Sequence, residues 1–248
     1  MTQTSGSILL LCAAALATGG AHAEVPAGER QALVALYDST DGAHWIRRTN
    51  WLEGDPCDNR WYSITCSPGR IHVAGIYLGN NNLSGRLPAL GALAYLETFA
   101  VNSNRLTGPV PALSGLVKLQ TFEVSYNRLS GNMPPLAGLT ELRFFNVAEN
   151  RLTGTIPVLK DLHKLSRFIV GGNRLTGSIA AAPDQDVLSA GSSSLCPNEL
   201  TPAETPPSAK DLAWNAATGS TPWSVACMAA SFVATTPAPS WGRSQSQP

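Results

Sequence analysis

Residues 119–134 read LQTFEVSYNRLSGNMP, and residues 142–157 read LRFFNVAENRLTGTIP. The two segments share the same order of leucine, phenylalanine, valine, asparagine, leucine, glycine and proline, offset by 23 residues. Five asparagines recur at this spacing: Asn81, Asn104, Asn127, Asn150 and Asn173. A fixed period of this length indicates a solenoid, in which each repeat forms one coil and only stacking of neighbouring coils buries a core.

Two hydrophobic residues precede each of these asparagines, as Phe122 and Val124 precede Asn127. Alternation of this kind predicts a short strand with one inward face, and successive coils would stack these strands into a parallel sheet with a spacing of about 4.8 Å. We expect the asparagine amides to satisfy backbone groups of neighbouring coils at the strand ends. Glycine and proline further along each repeat are suited to turning the chain.

The repeat resembles the plant-type leucine-rich repeat, LxxLxLxxNxLxGxIPxxLxx, as in polygalacturonase-inhibiting proteins and receptor-kinase ectodomains. The resemblance covers roughly residues 24–200, although each repeat is one residue shorter than the usual plant repeat. It implies an α/β solenoid, that is, a right-handed superhelix with a parallel concave sheet. It also implies a 3-10 or irregular convex side, and a disulfide-bearing cap at each end.

The start of the chain has the pattern of an export signal. An apolar run from Ile8 to Ala17 leads into Ala21-His22-Ala23, which fits a cleavage site and predicts a signal peptide over residues 1–23. No later apolar stretch reaches the length of about 20 residues that is needed to span a bilayer. We therefore expect an exported protein, secreted or periplasmic, with no membrane span.

The rest of the chain divides into caps, repeats and a tail. A helix pattern from Glu29 to Asp38 and a cluster of tryptophan and cysteine residues resemble the plant N-terminal cap. The last segment is rich in serine, proline, threonine and alanine, which is typical of disorder. The predicted divisions are an N-terminal cap over 24–68, five repeats over 69–180, a C-terminal cap over 181–227 and a disordered tail over 228–248.

Four cysteines remain after the predicted cleavage, two on each side of the repeats. Three pairings are formally possible, but the ends of a solenoid are far apart, so we predict the disulfides Cys57–Cys66 and Cys196–Cys227. No cysteine pair has zinc-finger spacing with histidine. No metal or cofactor is expected.

In the family that the chain resembles, recognition is carried by the outward positions of the strands on the concave face. Tyr77, Phe144 and Ile169 fall at such positions, where they would form a contiguous aromatic and aliphatic patch suited to an interface. The resemblance implies a monomeric recognition module, such as a receptor ectodomain or an enzyme inhibitor, that binds a protein or peptide. The predicted binding residues are Tyr77, Thr98, Asn102, Glu123, Ser125, Tyr126, Phe144, Asn146, Glu149, Arg167 and Ile169.

An arginine follows the repeated asparagine in four coils, which gives a second hypothesis. If these arginines stack at about 5 Å, their charges repel only weakly in water, and a regular row of guanidinium groups suits a repeating anion such as a polyuronate. Binding of an extracellular anionic polysaccharide is therefore the alternative function. The residues of this arginine row are Arg105, Arg128, Arg151 and Arg174.

Charge and motif content argue against other classes of function. The chain has 17 basic and 17 acidic residues, so its net charge gives no general attraction to nucleic acid. After the predicted cleavage three histidines remain, His44, His72 and His163, and none lies in a recognisable nucleophile or metal motif. We therefore predict that the protein is not an enzyme.

Overall fold

A computed structural model describes residues 24–183, 187–225 and 227 of the 248-residue chain. The predicted signal peptide and the predicted tail lie outside these described residues. In chain order the helices are α1 (Ala27–Ser39) and α2 (Ala209–Thr218), with short 3-10 helices at Gly42–His44 and Pro68–Arg70. The strands are β1 (Ile64–Cys66), β2 (Val73–Tyr77), β3 (Ser84–Arg86), β4 (Thr98–Ala100), β5 (Arg105–Gly108), β6 (Thr121–Glu123), β7 (Arg128–Asn132), β8 (Phe144–Asn146), β9 (Arg151–Thr153), β10 (Arg167–Ile169), β11 (Thr176–Gly177) and β12 (Glu199–Leu200).

The main sheet has one strand from each of the five coils and, at its edge, β1 of the N-terminal cap, in the order β1-β2-β4-β6-β8-β10. Only β1 is antiparallel to its neighbour; the other strands are all parallel. Paired residues are 23 apart along the chain, as Phe99 pairs with Phe122 and Phe122 with Phe145. The parallel sheet predicted from the repeat is confirmed, and every coil places the same sequence position at the same point of the sheet.

The core is built from columns of identical residues that stack from coil to coil. Phe99, Phe122, Phe145 and Phe168 are fully buried, and their rings stack with centroid distances of 5.7, 5.5 and 5.6 Å. The leucines of the repeat line the rest of the interior and are equally buried. Because each ring covers the next, stability comes from contact between coils rather than from any single coil.

The repeated asparagines form a ladder at the exits of the main-sheet strands. The side chain of Asn127 donates to the carbonyl oxygens of Val101, Val124 and Ser125 at 3.1, 3.1 and 3.2 Å, and its Oδ1 accepts from Leu106 N at 2.9 Å. Asn104, Asn150 and Asn173 repeat this pattern one coil apart. In these four asparagines one amide satisfies backbone groups of two successive coils, whereas the amide of Asn81 bonds the backbone of Arg47 in the N-terminal cap.

A second parallel sheet, which the sequence analysis did not predict, follows the asparagine ladder. Its strands are ordered β3-β5-β7-β9 and contain the Arg-Leu-Ser/Thr-Gly segment of the repeat. Paired residues here are 21 apart rather than 23, as Ser84 pairs with Arg105 and Ser130 with Arg151. This sheet is therefore staggered by two residues per coil relative to the main sheet. The convex turns beyond it are irregular.

The N-terminal cap is an aromatic cluster under α1. Trp45, Trp51 and Trp61 are buried, with centroids 4.8 Å apart for the first pair and 5.1 Å for the second. Their indole N–H groups donate to backbone carbonyls at 2.7 to 3.0 Å. Because these rings are enclosed and their polar atoms are satisfied, the tryptophans form the core of the cap. The predicted disulfide Cys57–Cys66 is present.

The cap is joined to the first coil by a buried carboxylate. Glu29 is 4% exposed and accepts from Val73 N at 2.7 Å and lies 2.6 Å from Nδ1 of His72. Behind α1 the backbone comes so close that a Cβ atom at Gly85 would collide with the carbonyl oxygen of Ser39. The cap helix and the first coil are therefore held at fixed positions by both polar and steric contacts.

The array continues past residue 180, where the sequence analysis ended the repeats. Asn198 donates to Val170 O at 2.9 Å and to Leu195 O at 2.7 Å, and accepts from Leu175 N at 2.9 Å, so it is a further member of the asparagine ladder. It follows Asn173 by 25 residues rather than 23. One irregular turn is thus added before the C-terminal cap.

The C-terminal cap closes the stack of phenylalanine rings. Trp214, on α2, is fully buried, lies 5.9 Å from the Phe168 ring and donates to Ala180 O at 2.9 Å. Asp211 on the same helix accepts from Ser208 Oγ at 2.6 Å and from Trp223 Nε1 at 2.8 Å. The second predicted disulfide, Cys196–Cys227, links this cap to the irregular turn.

Candidate functional site

The outward side chains of the main sheet form the surface that we call the concave face. Because the register is constant, they lie in rows that run from coil to coil. One row contains Thr98, Thr121, Phe144 and Arg167, and the next contains Tyr77, Ala100, Glu123, Asn146 and Ile169. The predicted binding residues on the strands are therefore brought onto one surface, on a backbone held by hydrogen bonds between coils.

A compact group of side chains lies at the C-terminal end of this face. Phe144 and Arg167 are direct partners on adjacent strands, and the guanidinium carbon of Arg167 lies 5.4 Å from the centre of the Phe144 ring. Ile169 is half-buried two residues further along the same strand. An arginine held over an aromatic ring has restricted freedom before any ligand arrives, which lowers the entropic cost of binding.

Tyr77 does not belong to this group, so the expected contiguous patch is wrong. It lies on β2, which is separated from β8 by β4 and β6, and that corresponds to about 14 Å across the sheet. Its row neighbours towards Phe144 are Ala100 and Glu123. Tyr77 is 45% exposed and forms a separate apolar position near the N-terminal cap.

The middle of the concave face is polar and already organised. Glu123 accepts from the hydroxyl of Ser125 and from Asn146 Nδ2, the latter at 3.1 Å. Asn146 in turn accepts from Ala148 N at 3.0 Å. This network fixes the carboxylate and the amide with defined orientations, although its hydrogen bonds could not be predicted from the repeat pattern.

The predicted residues at the strand exits border this face. Ser103, Tyr126 and Glu149 occupy the same position in successive coils, each with a left-handed backbone, at φ angles of 56°, 53° and 53°. Tyr126 is 62% exposed, and Glu149 lies against Gly172 of the next coil. Asn102, one residue before Ser103, lies against Gly79. Tyr126 is therefore the most exposed aromatic side chain of the predicted set.

The arginine row lies on the second sheet and differs in geometry from the expectation. Three of the arginines pair with a hydroxyl residue of the previous coil: Arg105 with Ser84, Arg128 with Thr107 and Arg151 with Ser130. The two-residue stagger places successive arginine Cα atoms about 8 Å apart instead of about 5 Å. In the part of the chain that the structure describes, the four guanidinium groups are exposed and have no hydrogen-bond or ion-pair partner. At the end of the row Glu199 pairs with Thr176 and reverses the charge.

A depression that the sequence analysis did not single out lies beside the start of the arginine row. It has a volume of about 210 Å³ and is enclosed by a loop of the N-terminal cap and the exits of the first two coils. Its lining residues are Ile46, Asn80, Asn82, Ser103, Asn104 and Arg105. No motif marks it, because the cap loop and the coils meet only in three dimensions.

The clearest shifts in ionisation lie away from the concave strands. A hydrogen bond from Arg47 lowers the pKa of Tyr62 in the N-terminal cap, and one from Lys164 lowers the pKa of Glu141 in a turn. Burial alone would raise the pKa of Asp211, but hydrogen bonds from Ser208 and Trp223 lower it to about 2. Among the described residues, no group of three or more His, Cys, Asp or Glu side chains could hold a metal ion.

Comparison with known proteins identifies the family. No protein-family model matches the chain. A solved structure of a pollen receptor kinase 3 matches with a TM-score of 0.57 and 30% identity, over 68% of this chain and 82% of that one. The PEPR1–AtPEP1 structure matches with a TM-score of 0.59 and 27% identity, over 69% of this chain and 25% of that one.

Two curated protein sequences are also similar to this chain, over shorter segments. The chain is 42% identical over 59 residues, or 21% of its length, to a leucine-rich repeat receptor-like serine/threonine-protein kinase of Arabidopsis thaliana. The chain spans less than a tenth of the two curated relatives that it matches, 6% and 8% of their lengths. Together with the asparagine ladder and the parallel sheet, these matches show that the chain belongs to the leucine-rich-repeat proteins of the type found in plant receptor-kinase ectodomains.

Proposed function

We propose that the chain is an exported recognition module that binds a protein or peptide partner through its concave face. The observation that carries this proposal is the pair formed by the half-buried Phe144 ring and the exposed Arg167, held on adjacent strands at 5.4 Å. Aromatic and arginine side chains dominate the energetics of protein interfaces when they lie on a rigid support. Tyr126, at 62% exposure on the neighbouring coil, would extend the same contact.

The organisation of the face supports recognition rather than a chemical step. Glu123 and Asn146 already accept or donate hydrogen bonds within the surface, so they offer fixed polar contacts beside the apolar group. Positions fixed before binding lose little conformational entropy when a ligand arrives.

The size of the face limits the kind of partner. Five strands with about three residues each give a sheet area of very roughly 250 Å², whereas a standard protein interface buries about 800 Å² on each side. A peptide lying across the strands fits this area. A folded protein would also have to contact the strand exits, including Tyr126 and Glu149.

Two further observations agree with this proposal. The similar PEPR1 structure was solved together with AtPEP1, which supports binding of a partner by a solenoid of this type. The disulfides Cys57–Cys66 and Cys196–Cys227 favour an oxidising compartment and so favour export.

Anionic polysaccharide binding is the second candidate, supported by the arginine row. The row has four exposed guanidinium groups without partners among the described residues, and three of these arginines pair with a serine or threonine on the adjacent strand, which supplies both charge and hydrogen-bonding groups. With arginines about 8 Å apart, neighbouring charges repel by only about 0.5 kcal/mol in water, so the row is stable without an anion. A partner for this row would carry anionic groups at a comparable spacing.

A displayed library of random linear peptides, selected on the full chain, tests the main proposal. We expect the selected peptides to bind the Phe144→Ala variant about 30-fold more weakly, because a hot-spot side chain contributes about 2 kcal/mol or more. Val158→Ala is the matched control, since Val158 is an exposed apolar residue, 67% exposed, outside the strands. Isothermal titration calorimetry gives the affinities.

Two outcomes contradict the main proposal. One is equal affinity for the wild type and for the Phe144→Ala and Tyr126→Ala variants. The other is retention on polygalacturonate that is reversed by salt and lost in the Arg128→Ala/Arg151→Ala variant, with no peptide selected; that result supports the second candidate instead.

A further inference from the structure

The depression beside the N-terminal cap has the features of a separate small-molecule site. We propose that it binds one sugar-acid residue, that is, a polyhydroxylated ring carrying a carboxylate. This site goes beyond peptide recognition on the concave face and does not depend on it.

The floor of the depression is rigid because its amide is fully used by the backbone. Asn104 donates to the carbonyl oxygens of Leu78, Val101 and Asn102 at 2.8, 2.9 and 3.1 Å. Its Oδ1 accepts from the backbone N–H groups of Asn81 and Leu83 at 3.0 and 2.9 Å. Asn104 therefore shapes the site without offering free hydrogen-bonding capacity to a ligand.

Other polar groups around this floor remain available. Asn82 donates Nδ2 to His44 O at 2.9 Å, which orients the side chain and leaves its Oδ1 as an acceptor. Within the described residues, the side chains of Asn80 and Arg105 have no hydrogen-bond or ion-pair partner. Amide groups both donate and accept, as ring hydroxyls do, and a guanidinium group matches a carboxylate with two parallel hydrogen bonds.

The apolar wall of the depression is Ile46, which is 67% exposed. Its loop is fixed by Asn81, since Ile46 N donates to Asn81 O at 3.2 Å and Arg47 N donates to Asn81 Oδ1 at 2.7 Å. An exposed aliphatic side chain on a fixed loop suits the C–H face of a sugar ring. Contact with a sugar ring would explain why Ile46, a large hydrophobic residue, lies exposed among polar residues.

The size and the charge of the depression restrict the class of ligand that it can bind. A volume of about 210 Å³ is below the about 300 Å³ at which sites for drug-sized ligands begin, so the depression accommodates a single ring rather than an oligosaccharide. None of its lining residues is acidic, and Arg105 makes it cationic. On the next coil Tyr126 occupies the position that corresponds to Ser103.

Titration of the full chain with galacturonate, galactose and acetate tests this proposal, with binding followed by nuclear magnetic resonance. We expect a dissociation constant on the order of 1 mM for galacturonate, because few atoms make contact in a shallow site. Galactose lacks the carboxylate and acetate lacks the hydroxyls. Each should bind at least about tenfold more weakly, since each loses one class of polar contact.

Two variants locate the binding. Arg105→Gln should weaken galacturonate binding about tenfold through loss of the charge-assisted contact. Arg143→Gln, which removes an exposed arginine outside the arginine row, should leave binding unchanged. The proposal is overturned if acetate binds as tightly as galacturonate, or if the two variants have equal effects, or if Arg105→Gln has none. A failure of peptide binding on the concave face affects none of these measurements.

Discussion

At the scale of single residues, the repeated asparagine explains why the chain forms coils of one length. Its side chain contacts backbone groups of two coils, so its position along the sequence could be predicted from the period alone. The contacts of Glu123 and Asn146 could not, because they depend on the rotamers of neighbouring side chains on the concave face. Repetition identifies residues with a shared structural role, while we propose that residues of the concave face that differ from coil to coil carry recognition.

Removal of one ladder amide should destabilise the whole fold. Asn127→Ala leaves Leu106 N without its acceptor and takes a donor from three carbonyl oxygens. Some of these carbonyl oxygens keep another hydrogen-bond donor. We therefore expect the free energy of unfolding to fall by about 3 kcal/mol. Urea denaturation measures this change in the free energy of unfolding.

Asn132→Ala is the matched control for this change. Asn132 is exposed on the second sheet, and its one recorded side-chain hydrogen bond, from Thr153 Oγ1, is 3.4 Å long. We expect an effect below about 0.5 kcal/mol. Equal destabilisation by the two substitutions would show that the ladder has no special role.

At the scale of elements, the alternating hydrophobic pattern predicts the main sheet because its strands are in phase with the repeat. The second sheet was missed because its strands pair with a two-residue stagger, which no column of the sequence reveals. Because of this stagger, successive arginines of the arginine row lie farther apart than expected. The stagger also pairs Arg105, Arg128 and Arg151 with a serine or threonine of the previous coil rather than with another arginine.

Helix α2 supplies a pH-dependent part of the stability. Asp211 has its pKa lowered to about 2 from an ordinary value of 3.8, the hydrogen bonds from Ser208 and Trp223 outweighing burial. A carboxyl group with a lowered folded-state pKa stabilises the fold above about pH 4, and this contribution is lost as the pH falls towards about 2. We therefore expect Asp211→Asn to be less stable at pH 7 and to lose less stability between pH 4 and pH 2 than the wild type.

Thermal unfolding followed by circular dichroism across this pH range tests the prediction. Glu141→Gln is the control, because Glu141 also has a lowered pKa but its ion pair with Lys164 is open to solvent and contributes little to stability. An unchanged acid dependence in Asp211→Asn would mean that this carboxyl group does not couple α2 to the fold.

At the scale of the whole molecule, the period and the two cysteine pairs are sufficient to predict a capped solenoid. The extra turn at Asn198 was missed because its spacing is 25 residues, although Asn198-Glu199-Leu200-Thr201 has the pattern of Asn150-Arg151-Leu152-Thr153. The Glu29–His72 contact was missed because it joins residues far apart in the sequence. Local order follows from the repeat, whereas the junctions between the caps and the coils require the three-dimensional structure.

The central claim is that the solenoid binds its partner on the concave face. Hydroxyl-radical footprinting of the full chain, with and without a selected peptide, tests this most directly. Tyr126 and Phe144 should become less reactive in the complex, while Tyr95, which is 46% exposed and lies in a turn stacked on His72, should react as before. Protection of Tyr95 with unchanged reactivity of Tyr126 and Phe144 would place the partner elsewhere and contradict the claim.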